Sequence, residues 1–169
     1  RFNCKDTEEL TIDSPLDYLG IEVSMDEDKI YLCMKKYIEK AVLSMDLKVR
    51  QREVSIPIDK PIDTNSEELN ALDKRAFLSA LGMLGWLAQT ARCDVAYAYS
   101  RLGQHAATPT QSAFEGVRRA FEYLYQTRDL AIYTLRQGNG IGITTAMYRL
   151  RNTATDAWQF YSDSDHAGN

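Results

Sequence analysis

The sequence predicts an α+β fold: an N-terminal β-hairpin plus one helix, a central bundle of about three helices, and C-terminal β-strands. Three observations predict it. Apolar and polar residues alternate over residues 18–34, the period of a strand with one buried face. The period lengthens to that of an amphipathic helix from Lys35 and again over residues 72–127. Alternation returns after Asp129.

In Tyr18–Met25, Leu19, Ile21 and Val23 fall on one face and Gly20, Glu22 and Ser24 on the other. Asp26-Glu27-Asp28-Lys29 is a turn, and Ile30, Leu32 and Met34 continue as a second strand, so the pair reads as a hairpin. Ile38, Ala41, Val42 and Met45 have helical spacing, with an end expected near Leu47. Residues 48–70 hold Pro57 and Pro61, which exclude a regular helix, so this stretch is expected to be a long connection. Residues 72–91 are apolar on most faces, as in a helix buried on several sides. Gly82 and Gly85 each cost it about 1 kcal/mol, which close packing on a neighbouring helix would offset. Asp94 is expected to cap a helix running to about Ala107. Pro109 marks a restart, and Phe114, Val117, Phe121 and Leu124 form one stripe over residues 110–127. Glu115–Arg119 and Arg118–Glu122 have the spacing of intrahelical ion pairs. Strands are expected at 130–135, 141–150 and 157–162, with a turn at Gly138-Asn139-Gly140. The expected organisation is therefore 1–50, hairpin and helix; 51–71, linker; 72–128, helical; and 129–169, strands.

The composition, 44% hydrophobic and 26% charged, is that of an ordinary globular chain, and its length can support one substantial core. Net charge is −4, yet it is unevenly spread. Residues 1–73 carry 10 basic and 17 acidic residues, whereas residues 74–151 carry 10 and 4, a net +6. A basic half of an acidic protein is either a phosphate-facing surface or a solvated helical surface. Cys4, Cys33 and Cys93 are widely separated and odd in number, which argues against a disulfide framework or a zinc site and suits an intracellular, reducing compartment. The longest uncharged stretch, 76–91, is shorter than the roughly 20 residues that span a bilayer. Arg1 in place of methionine is expected of a processed product or a fragment.

The order of short motifs carries a resemblance. Tyr18-Leu19-Gly20-Ile21-Glu22-Val23 resembles the "FLG-I-E" strand of copia-type retrotransposon reverse transcriptases, and Ile30-Tyr31-Leu32 with Lys36-Tyr37-Ile38 resembles the segment that follows it. Leu81-Gly82-Met83-Leu84-Gly85-Trp86-Leu87 resembles "VGxLxYL", and Arg92-Cys93-Asp94-Val95-Ala96-Tyr97-Ala98 resembles "R-P-D-I-x-Y-A", with Cys93 at the family's proline. Pro109-Thr110, the run Arg118–Leu124, and Thr127 with Asp129 match the next stretch. Tyr161-Ser162-Asp163-Ser164-Asp165-His166-Ala167-Gly168 resembles the start of the family's RNase H domain. The resemblance implies the C-terminal part of the reverse transcriptase of a Pol polyprotein, running into the first RNase H strand. By it, the hairpin is similar to a primer grip at the palm edge and the helices to a thumb and connection.

Nucleotide addition needs paired carboxylates around two divalent ions about 4 Å apart. The family holds these in a "Y-x-D-D" turn upstream, and no Asp-Asp pair occurs in this sequence, so the segment is not expected to polymerise alone. The resemblance makes Asp163 the first of about four nuclease carboxylates, catalytic only if a complete RNase H domain follows. Mg2+ belongs to the parent family; no metal site or cofactor is expected in this segment. What remains is duplex handling through the phosphate backbone, which positions without reading sequence. Lys35, Lys36, Lys74, Arg75, Arg92, Arg101, Arg118 and Arg119 are the candidate nucleic-acid-binding residues. The structural alternatives are a contact between Arg92 and Asp94 and helix pairs for Arg118 and Arg119. Tyr97, Tyr99, Tyr123 and Tyr125 are candidates for base stacking or for packing. Two functions stay open: a non-catalytic segment that binds an RNA/DNA duplex, cytoplasmic if carried in a retrotransposon particle, or a retroelement-derived structural subunit whose partners are proteins of a larger complex.

Overall fold

The structure, a computed structural model, describes residues 9–137 and 140–149. In chain order these form β1 (Leu16–Tyr18), β2 (Ile21–Met25), β3 (Lys29–Cys33), α1 (Lys35–Ser44), α2 (Ala71–Thr90), a 3₁₀ turn (Cys93–Val95), α3 (Ala96–Gly103), α4 (Gln111–Gln126), β4 (Leu130–Gln137) and β5 (Gly140–Arg149). The expected α+β class is what is found. Two compact units part at Cys33/Met34 and at Arg128/Asp129, so that α1 groups with the other helices and the hairpin with β4 and β5.

The first unit is an antiparallel meander in the order β1-β2-β3-β4-β5. The strand expected from Tyr18 to Met25 is broken at Leu19–Gly20, where both residues take positive φ (53° and 82°). Glycine supplies that conformation without steric penalty, and the break creates a further strand, β1, pairing Tyr18 with Ile21. The second turn is held by Asp26. Its Oδ1 accepts the Asp28 and Lys29 amides at 2.9 and 2.7 Å, and its Oδ2 accepts the Tyr31 hydroxyl at 2.7 Å. The Tyr31 hydrogen bond above all holds the Asp26 carboxyl below its ordinary range, against the opposing effect of burial. β3 then pairs with β4 although the entire helical unit lies between them in sequence; Tyr31 faces Tyr133 with ring centroids 6.1 Å apart, and the Lys29 ammonium lies 4.6 Å from the Tyr133 ring. Such cross-strand aromatic pairs fix register.

The second unit buries Phe77, Leu84, Leu87, Leu102, Phe121 and Leu124 completely. α1 buries Ile38, Ala41 and Val42, the stripe its spacing predicts, and ends at Ser44 rather than near Leu47. Asn70 caps α2 by accepting the Leu72 and Asp73 amides. Thr110 caps α4, its hydroxyl accepting the Ala113 amide at 3.4 Å. The stripe on α4 is buried at Val117, Phe121 and Leu124, while Phe114 packs edge-on to Phe77 at 6.5 Å. α3 stops at Gly103, short of Ala107. Asp94 does not cap it; the N-cap is Val95, without a side-chain bond, because the Asp94 carboxylate is engaged elsewhere. Residues 48–70 contain no helix or strand. The connection nevertheless lies along α4, for Val54 is buried and Asp63 gives its amide to the Ser112 hydroxyl.

The two helical glycines differ. A Cβ at Gly85 would lie 2.8 Å from the Tyr99 ring, whereas one at Gly82 would meet nothing within 4 Å. Close packing thus explains Gly85 and not Gly82. Gly82→Ala is expected to raise stability by about 1 kcal/mol, the helix-propensity difference. Gly85→Ala is expected to lower it by about 1 kcal/mol, since overpacking outweighs the same gain. Urea unfolding midpoints of the two variants check the opposite signs.

Candidate functional site

The motif Arg92-Cys93-Asp94 closes the space between the end of α2 and the end of α4. Arg92 is a large, fully buried cation, and a buried guanidinium is tolerated only when paired and hydrogen-bonded. Its Nε and Nη2 donate to Asp94 Oδ1 and Oδ2 at 3.0 and 2.7 Å. Nη2 also donates to the Thr127 hydroxyl at 2.6 Å and Nη1 to the Thr127 carbonyl at 3.1 Å. Tyr123 completes the set: its hydroxyl donates to Asp94 Oδ2 at 2.8 Å, and its ring lies 5.7 Å from the Arg92 guanidinium carbon. Burial, the Asp94 charge and the hydrogen bond to it push the Tyr123 phenol up to about 12, although Arg92 acts in the opposite direction. Cys93 is exposed, yet its thiol is pushed up, chiefly by partial burial and then by Asp94; a raised thiol is a poor nucleophile.

This geometry takes Arg92 out of the phosphate-facing set: its donors point at protein oxygens, and its side chain has 0% exposure. The structure disperses the other candidates. Lys35 and Lys36 lie in the first turn of α1, half-buried and exposed respectively. Lys74 gives its ammonium to the Ala107 carbonyl at 2.6 Å, and Arg101 reaches Gln104 at 3.3 Å, so both serve the end of α3 and its following loop. Arg119 pairs with Asp59 of the connection at 3.2 Å. Arg75 on α2 and Arg118 on α4 are exposed. Arg118 lies 5.4 Å from the Phe114 ring and lines a small groove of about 110 Å³ with Met45, Ala76, Ser79, Met83 and Phe114. Neither i, i+4 pair expected on α4 is the one formed: Arg119 turns to Asp59, and Glu122 to Arg50, whose Nε and Nη2 clasp its carboxylate at 2.9–3.1 Å. Of the tyrosines, Tyr97 is 68% exposed, Tyr99 packs on Gly85, Tyr123 joins the Arg92 network and Tyr125 lies under Arg128 at 4.4 Å.

Asp163 lies outside the described residues, as do Asp165, His166 and the strand expected at 157–162. Among the described residues no three His, Cys, Asp or Glu side chains converge to hold a metal ion. No helix among them is long and apolar enough to cross a membrane. Sequence reasoning named Glu122 only as a helix partner of Arg118 and Thr127 only as a motif match, and did not name Gln126. A carboxylate placed directly after Phe121 in the buried stripe was the available signal for Glu122.

Comparison with known proteins finds relatives that include three transposon proteins. The chain is 28% identical over 174 residues to the retrovirus-related Pol polyprotein from transposon RE1 of Arabidopsis thaliana, and 27% identical over 174 residues to that from transposon RE2 of the same plant. Each match covers 99% of this chain but 10% of the polyprotein. A putative transposon Ty5-1 protein of Saccharomyces cerevisiae is 28% identical over 130 residues, 75% of this chain and 41% of that protein. The chain therefore spans about a tenth of the plant relatives it matches. No protein-family model and no solved structure matches it. The resemblance read from the motifs holds at this level: the chain is similar to retrotransposon Pol polyproteins.

The buried network has a signature in alkali. The Tyr123 phenol is raised from 10.0 to about 12 in the folded state, so its contribution to stability is complete below pH 10 and is lost as pH rises through 12. Tyrosinate absorbance is expected to contain one step near 12 that Tyr123→Phe abolishes. A step at the ordinary value in the folded protein would contradict the buried hydrogen bond.

Proposed function

We propose that this chain is a non-catalytic, duplex-binding segment of a retrotransposon reverse transcriptase/RNase H polyprotein. The observation that carries the reading is the match of 99% of its length to Pol polyproteins. The uneven charge supports it, since residues 74–151 carry a net +6 on an acidic chain. Arg75, Arg118 and Lys36 are exposed cations of the helical unit and are the residues assigned to phosphate contact. Arginine suits that task because its planar fork presents several donors to a phosphate. Contacts of this kind hold a duplex in place without reading its sequence. The reading assigns no metal to this segment; the chemistry of Mg2+ belongs to the parent family's catalytic carboxylates.

Binding to a labelled RNA/DNA hybrid, followed by fluorescence anisotropy across a salt series, tests this. The affinity is expected to fall linearly on logarithmic axes as salt rises. Arg75→Ala and Arg118→Ala are each expected to weaken binding for every sequence and to lower the salt slope by about 1. No binding at low salt, with protein partners retained through purification, would instead favour a retroelement-derived structural subunit.

A further inference from the structure

α4 carries two lines of residues. Ala113, Val117, Ala120, Phe121 and Leu124 form the buried apolar one. Ser112, Gly116, Arg119, Glu122 and Gln126 recur at helical spacing beside it. This second line meets the connection that precedes α2. Gln126 accepts the Val54 amide at 2.8 Å and donates to the carbonyls of Arg50 and Arg52 at 3.2 and 2.9 Å. Glu122 is clasped by Arg50, Arg119 forms an ion pair with Asp59 at 3.2 Å, and Ser112 accepts the Asp63 amide at 3.0 Å. A polar cavity of about 360 Å³ lies between the connection and α4, lined by Arg50, Asp59, Lys60, Ile62, Ser112 and Arg119 among others.

We infer that residues 48–63 form a strap that lifts from α4 as one unit while the helices stay folded. Between residues 48 and 62 only Val54 is fully buried, while Val49, Ile58 and Ile62 are half-buried, Ile62 against Gly116, so lifting the strap exposes a limited apolar seam and no core. The Val54 and Asp63 amides are held by side chains of α4 rather than by a backbone ladder, and water can replace such partners. Glu122 has 3% side-chain exposure and Arg50 66%, which makes the Arg50 guanidinium the cover over the carboxylate. Lifting it puts both charges into water together, so no unpaired charge is left buried. Opening also releases Arg119 from Asp59; that this frees a phosphate contact rests on the duplex-binding reading, whereas the opening itself does not.

Amide hydrogen exchange on the whole chain, without nucleic acid, tests the inference. The Val54 and Asp63 amides are expected to exchange at least tenfold faster than those of Phe121 and Leu124, roughly the gap between local and global opening. Arg50→Ala, a change at an exposed site, is expected to accelerate both strap amides by about tenfold and leave the α4 amides unchanged, as loss of a charged hydrogen-bonded pair predicts. Raised salt is expected to act in the same direction on the strap alone, since its anchors are partly ionic. Two results would overturn the inference: strap amides exchanging at the rate of the α4 core, or Arg50→Ala accelerating Val54 and not Asp63.

Discussion

The helical unit depends on one buried guanidinium. Arg92 follows α2 at the point where the chain must turn sharply into α3, and its charge has no access to water. Desolvating an unpaired cation would cost several kcal/mol, so a partner must be within reach. Asp94, two residues on, gives both carboxylate oxygens, and Thr127 gives a hydroxyl and a carbonyl from the cap of α4. The pair thereby does two things at once: it shapes the 3₁₀ turn between α2 and α3, and it fastens that turn to the far end of α4. A buried ion pair gives little net stability over an apolar substitute, but breaking half of it strands a charge, so it selects one arrangement of the helices.

This bears on how the motifs are to be understood. Arg92, Asp94, Tyr123 and Thr127 come from two separate stretches that resemble the copia-type pattern, and they meet in a single hydrogen-bonded cluster. The resemblance at these positions is therefore architectural, a constraint on how the helices join, and it assigns them no contact with nucleic acid. Arg75 and Arg118, by contrast, are exposed on the same unit. The sheet unit is organised differently: a turn fixed by Asp26 and the pairing of Tyr31 with Tyr133 set its register.

What the sequence made legible follows from range. The hairpin turn, the stripes of α1 and α4, and the irregular course of residues 48–70 are encoded by neighbours a few positions apart, and periodicity with proline placement reveals them. The pairing of β3 with β4 depends on residues separated by the whole helical unit, which no local pattern records. Glu122 is the sharpest case. Its spacing from Arg118 pointed to a helix pair, yet its partner is Arg50, 72 positions away. A tertiary partner with bidentate geometry outcompetes an exposed helix pair, whose contribution is only about 0.3–0.5 kcal/mol. Asp94 divides in a related way: the cap read from its position is not formed, whereas its contact with Arg92, the structural alternative, is, because capping is a local signal and the buried cation beside it had the stronger claim.

The arrangement of the helical unit stands on the coupling between Arg92 and Asp94. A double-mutant cycle with Arg92→Met, Asp94→Asn and the combined variant, read by urea unfolding, measures it directly. The two single changes are expected to lose more together than the pair does, with a coupling energy of about 2 kcal/mol or more. Losses that add to within about 0.5 kcal/mol would contradict it, and would mean that the helices hold their arrangement without the buried pair.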